Sequence, residues 1–236
     1  MKKIIAWALA LTLLCLSVPA LAEDLTGDWY LLGMKTEEIS INAADQGVST
    51  VMTLNADGTA QVVSAYGEGE PDVLDGAWTV TDVGVAVTME ESTQEFVLED
   101  GTLVLEEEGM VSVFGREAPA PTAMPAFIAA ETEDQFFGEW VLTKSFYMGM
   151  TMSASAMGDS RVIIEAGKLT ESTAAEDGDE PISIEHATAF ADGKLTVNGE
   201  EGEALLTVEL MEDGGLAVAV GEGELLILMF FERPAA

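Results

Sequence analysis

With 9 Lys and Arg against 43 Asp and Glu, this 236-residue chain carries a formal net charge of -34. Such a surface repels nucleic acid and anionic lipid, which are bound through basic residues. Charge of one sign at this density is also a mark of disorder, but the chain is 48% apolar and its apolar residues alternate, which excludes that reading.

At the N-terminus, Lys2 and Lys3 precede an uncharged apolar run from Ile4 to Val18. Ala20-Leu21-Ala22 then supplies small residues at the two positions a signal peptidase reads, with Glu23 and Asp24 just beyond. A membrane anchor is the competing reading, but the run is short of the roughly 20 residues that span a bilayer. Residues 1–22 are therefore expected to be a cleaved signal peptide. The protein is then exported, secreted or on the exterior of the cell envelope, with no membrane span in the mature chain. Cys15, the only cysteine, follows Leu14 where a lipobox would want a small residue, and it leaves with the leader. The mature chain has no disulfide and no Cys-based metal site, so its cores must hold it.

A repeat follows. Gly27-Asp28-Trp29 recurs as Gly138-Glu139-Trp140, and the same displacement carries Ile39 onto Met150, Ile41 onto Met152, Ala43 onto Ala154, Gly47 onto Gly158 and Val51 onto Val162. The ends also correspond: Phe114-Gly115-Arg116-Glu117 closes the first copy and Phe230-Phe231-Glu232-Arg233 the second. The expected organisation is a first domain over 23–117, a linker over 118–135 and a second domain over 136–236. The linker combines an Ala/Pro spacer, Ala118 to Pro125, with a short helix over 126–135.

Within each copy the period is two. Val85, Val87 and Met89 share one side of a strand, and Ala204, Leu206, Val208 and Leu210 share another. Asp57-Gly58, Asp75-Gly76, Asp100-Gly101, Asp177-Gly178, Asp192-Gly193, Asn198-Gly199 and Asp213-Gly214 supply turn signals. The first copy reads as eight strands: 27–34, 49–55, 59–66, 76–82, 84–90, 94–99, 102–107 and 110–117. The fold class is all-β: two small antiparallel meander barrels. Asn42-Ala43-Ala44-Asp45 and Ser153-Ala154-Ser155-Ala156, stopped by Gly47 and Gly158, predict a short helix between strands 1 and 2 of each copy.

A Gly-x-Trp on the first strand, a helical crossing and a meander ending in Arg resemble the lipocalin-like, or calycin, pattern. The resemblance implies an eight-stranded barrel whose closed end holds the Trp against an Arg from the last strand. It pairs Trp29 with Arg116 and Trp140 with Arg233, as cation–π contacts worth about 0.5–2 kcal/mol each. Two of the three arginines of the chain occupy those positions; the third is Arg161. Lipocalins that hold ligands are longer than these copies, and strands of about six residues favour a barrel filled by its own side chains.

His186, the sole histidine, shares a strand face with Ile182 and Ile184 and reads as a half-buried structural residue, since zinc sites need further ligands. Ser112 and Ser183 lack a base, no Gly-x-Ser-x-Gly occurs, and chance pairs abound among 43 acids. The acidic run Glu176 to Glu180 lacks the alternating ligands of a calcium loop. The chain is therefore expected not to be an enzyme and to hold no cofactor or metal. Met148, Met150, Met152 and Met157 crowd the second crossing, as a lid over an apolar ligand or a plug under the helix. Leu225 to Phe231 is apolar throughout, so both faces of that strand need cover, one from its own core and the other from the first domain or a partner. The expected function is binding of a small apolar ligand or a protein partner. The alternative is a structural or adhesion module of the cell exterior.

Overall fold

The computed structural model describes residues 25–158, 160–173, 182–199, 202–221 and 226–234. The expected signal peptide, Asp177-Gly178, Leu225 and the acidic run at 176–180 lie outside these residues. The chain divides into two compact units. One contains the residues up to Thr36 together with Asn42–Pro121; the other contains Glu37–Ile41 and Thr122–Ala236.

Strands dominate both units. In chain order they are β1 (Gly27–Lys35), β2 (Ile39–Asn42), β3 (Val48–Leu54), β4 (Thr59–Tyr66), β5 (Asp72–Val80), β6 (Gly84–Met89), β7 (Ser92–Glu99), β8 (Thr102–Glu107) and β9 (Met110–Gly115). There follow β10 (Phe127–Ile128), β11 (Gly138–Tyr147), β12 (Met150–Ser153), β13 (Ser160–Glu165), β14 (Lys168–Thr173), β15 (Ile182–Ala191), β16 (Lys194–Asn198), β17 (Ala204–Met211), β18 (Leu216–Val220) and β19 (Ile227–Glu232).

In the first unit β1 pairs with β3, each later strand pairs with the next, and β9 returns to β1. The result is an eight-stranded antiparallel closed barrel, a size whose interior side chains can just fill. Alternation decides which do so. Met52, Leu54, Trp78, Val85, Val87, Phe96, Leu103 and Phe114 point inward and form one core with Trp29 and Leu31. Phe96 and Phe114 meet edge to face at 5.6 Å.

In the second unit β11 pairs with β13, the ladder proceeds from β13 to β19, and β19 pairs back with β11. Trp140, Leu142, Val162, Ile164, Leu195, Val208, Leu216 and Phe231 form its core. Each unit's first strand carries a β-bulge, between Leu31 and Gly33 and between Leu142 and Lys144. The extra residue turns its carbonyl to the crossing: Ala43 N–H donates to Leu32 O at 3.1 Å, and Ala154 N–H to Thr143 O at 3.2 Å.

The crossings differ from the expected helices. The first is a run of turns in which the Ala44 amide donates to Asn42 Oδ1 at 2.9 Å, and the second holds only a 3-10 turn, Ser155–Met157. An Asn side chain that bonds two residues ahead offers the backbone a turn in place of a helix. The alternating residues just before each crossing form strands instead. β2 joins the second unit and pairs with β12, setting Ile39 opposite Met152 and Ile41 opposite Met150.

Three further expectations need correction. The residues expected to form a linker helix give β10, which pairs with Met211 and Leu210 of β17, and a 3-10 turn, Glu133–Phe136. Phe127 and Ile128 suit a pleated strand better than a helix. Asp75-Gly76 is no turn but the middle of β5; Gly is needed there because a Cβ on Gly76 would strike the Thr88 carbonyl of β6. Finally, 111 positions separate Trp29 from Trp140, but Trp29 lies opposite Met52 and Trp140 opposite Val162, which are 110 apart. The match of Val51 to Val162 is therefore off by one, and a one-residue slip exchanges faces: Val51 is half-buried where Val162 is core.

Both faces of β19 are buried, as its unbroken apolar run requires. Phe231 enters the inner core, while Leu228 and Phe230 join Met211 and Ala217 in a separate outer cluster. Ala123 and Pro125 share a cavity of about 180 Å3 with Met211 and Phe230 beside it, and Lys144 Nζ stands 5.6 Å from the Phe230 ring centroid.

Replacing Gly76 by Ala is expected to cost about 1–3 kcal/mol, the usual penalty of forced overpacking. Urea unfolding followed at the Trp emission checks this, and unchanged stability would mean that β5 and β6 can separate without loss.

Candidate functional site

β1 and β11 each begin with the residues that close their unit. Trp29 is almost wholly buried and donates its indole N–H to Leu25 O at 3.0 Å; Trp140 does the same to Phe136 O at 2.8 Å. Above each indole lies a guanidinium. Arg116 Cζ is 3.7 Å from the Trp29 ring centroid, and Arg233 Cζ is 4.1 Å from that of Trp140. Arg116 Nη1 also donates to Thr26 O at 2.9 Å and Asp28 O at 3.3 Å, and Arg233 Nη2 donates to Phe137 O at 3.1 Å. The third arginine is engaged elsewhere, with Glu139 at 2.9 Å.

Magnitudes rank these contributions. Burying an indole removes about 150–250 Å2 from water, worth about 4–6 kcal/mol at 25 cal/mol per Å2. The exposed guanidinium adds about 0.5–1 kcal/mol through the ring face. Apolar burial thus holds the end shut, and the arginine covers the one indole face left toward water.

The backbone beside each indole calls for glycine. Gly27 has φ 100° and Gly138 φ 127°, a region that L side chains avoid. A Cβ on Gly27 would come to 3.4 Å from Arg116 Nη1, and one on Gly138 would collide with Arg233 Nη1.

The other end of the first unit's barrel is open in character. There β4 ends at Tyr66, β5 begins at Asp72, and β6 and β7 meet at Met89 and Ser92. Inward positions turn polar here: Thr50 and Ser64 hydroxyls bond across β3 and β4 at 3.1 Å, and Gln94 donates to both Glu107 carboxylate oxygens at 3.2 Å. Beside Gln94 lies a cavity of about 280 Å3 with walls of Val62, Leu74, Val87 and Met89 and a lip of Glu90, Ser92 and Gln94. Leu74 is 44% exposed and Tyr66 72%, both large for an apolar or aromatic side chain. Sequence reasoning missed this site. The available signal was the change along the inward face of two neighbouring strands, from Phe96 to Gln94 and from Leu105 to Glu107.

The four methionines are divided among a turn, a strand and a 3-10 turn. Met148 is exposed in a turn at φ 48°, Met150 and Met152 lie on β12, and Met157 packs against the second core. His186 sits opposite Leu169 on β15, half-buried, beyond the exposed Ile182 and Ile184. Inside the second unit the buried hydroxyls of Ser145 and Thr188 have no hydrogen-bond partner among the described residues. Ser112 borders Glu107, Glu108 and Met110 at the first mouth, and Ser183 faces Ser172 of β14.

Titration is perturbed away from the cavity. The Thr59 hydroxyl and amide hold Asp57 below the ordinary Asp value, and Glu185 and Glu165 raise Lys168. Among the described residues, no three His, Cys, Asp or Glu side chains gather as metal ligands, and no helix is long and apolar enough to cross a membrane.

No family model matches the chain, and no curated protein does. Among solved structures, a DUF3598-family protein of unknown function from Nostoc punctiforme is 12% identical with a TM-score of 0.25, over 91% of this chain and 97% of its own. The β chain of DNA polymerase III from Streptococcus pneumoniae TIGR4 is 10% identical with a TM-score of 0.12, over 94% of this chain and 64% of its own. At such TM-scores neither likeness carries an argument.

Replacing Gly138 by Ala is expected to destabilise its unit by about 2–4 kcal/mol, from positive-φ strain plus displacement of the arginine. Gly27→Ala should cost about 1–2 kcal/mol, from backbone strain alone. Chemical denaturation of both variants checks the order; equal losses would show that the guanidinium does not depend on the missing Cβ.

Proposed function

We propose that this is an exported, non-enzymatic protein built from two tandem copies of one lipocalin-like barrel, and that the first barrel takes a small apolar ligand at its mouth. The apolar-walled cavity opening beside exposed Leu74 carries this reading. Pockets for small molecules are concave and mainly apolar with a few placed polar groups, and Gln94 and Ser92 supply such groups. The tandem reading draws on the matched indole, carbonyl and guanidinium of each unit and on the paired bulges. Closing the Trp end is a structural role for Trp29, Arg116, Trp140 and Arg233, which leaves the mouth for binding. Export rests on the leader-like residues 1–22.

A structural or adhesion module of the cell exterior is the second reading. The second unit buries Leu195, Val197, Val208 and Leu216 completely, as a structural module held by its own core would.

Titration with the neutral fluorophore N-phenyl-1-naphthylamine is expected to show one saturable site that Leu74→Asp weakens by about tenfold or more, the scale of losing one apolar contact surface. Absence of saturable binding would leave the structural reading. Secreted material is expected to begin at Glu23 by N-terminal sequencing; a Met1 start would remove the export proposal.

A further inference from the structure

The chemistry around the mouth narrows the ligand. We infer that the first barrel selects a cationic amphiphile, seating its apolar tail in the cavity and leaving its positive head at the rim; the inference rests on the ligand-binding reading above. At about 280 Å3 the cavity falls just under the range that encloses a drug-sized molecule. It therefore accepts the end of a chain, and the head stays in the surrounding field.

That field is negative. Glu68, Glu70, Asp72, Glu90, Glu107 and Glu108 all lie in or beside the strand ends and turns at the mouth, against Lys35 at the end of β1. Glu90 forms part of the lip itself, and Gln94 pins the Glu107 carboxylate facing it across β7 and β8. Carboxylates on a low-dielectric rim concentrate cations and repel anions, an effect that salt screens. Tyr66, largely exposed at the end of β4, adds a ring face of the kind that quaternary ammonium groups approach. Fatty acids and other anionic amphiphiles would meet the same walls but the wrong rim.

Calorimetry on the purified protein can compare n-decyltrimethylammonium, n-decyl sulfate and n-decyl maltoside below their micelle concentrations. The cation is expected to bind at one site per chain, about tenfold or more tighter than the sulfate at low salt, with the gap closing as salt rises. Leu74→Asp should weaken the cation although it adds a carboxylate, and Glu90→Gln should reduce the preference for the cation over the maltoside. Equal binding of all three would overturn the charge selection and leave the mouth as a ligand site. Failure of all three would overturn the ligand site itself. Cation binding undiminished by Leu74→Asp would place the contact on the general acidic surface and overturn the inference.

Discussion

At Gly138 a Cβ would collide with the guanidinium that covers the buried Trp140, and at Gly27 the positive φ itself calls for glycine. These constraints tie Gly27, Trp29 and Arg116 into one device, and Gly138, Trp140 and Arg233 into another. The indole supplies the stabilisation through burial. The arginine contributes less energy but fixes where the last strand must end, because it also bonds carbonyls at the start of the first. First and last strands are thereby joined by side chains at the place where ladder pairing closes the sheet.

From that end the barrel of the first unit changes character along its axis. Large apolar side chains fill the lower interior, and hydroxyls, an amide and a carboxylate line the upper. A sheet closed at one end by burial and lined at the other by satisfied polar pairs is stable without filling its mouth. The space at the top is therefore compatible with folding, and its walls remain apolar because Val62, Val87 and Met89 continue the alternation set below.

Much of this was legible in the sequence because the signals were local or rare. Alternation located the strands of the first unit closely, and three arginines in the whole chain drew attention to Arg116 and Arg233. Two of the misreadings depended on a neighbour far along the chain. Gly76 looks like a turn until β6 is brought against it, and β2 looks like the approach to a helix until β12 is set beside it. The offset of one between Met52 and Val162 is invisible when both neighbours are valine or methionine. The cavity needed four strands at once, so no single segment announced it, and only Gln94 and Glu107 on inward positions hinted at its depth.

Because β2 belongs with the second unit although it precedes most of the first, covalent order and structural order disagree. A protease nick in the Ala/Pro segment would not release two whole halves. The piece beginning at Thr122 would carry Met150, Thr151 and Met152 on a bare sheet edge, an invitation to aggregation.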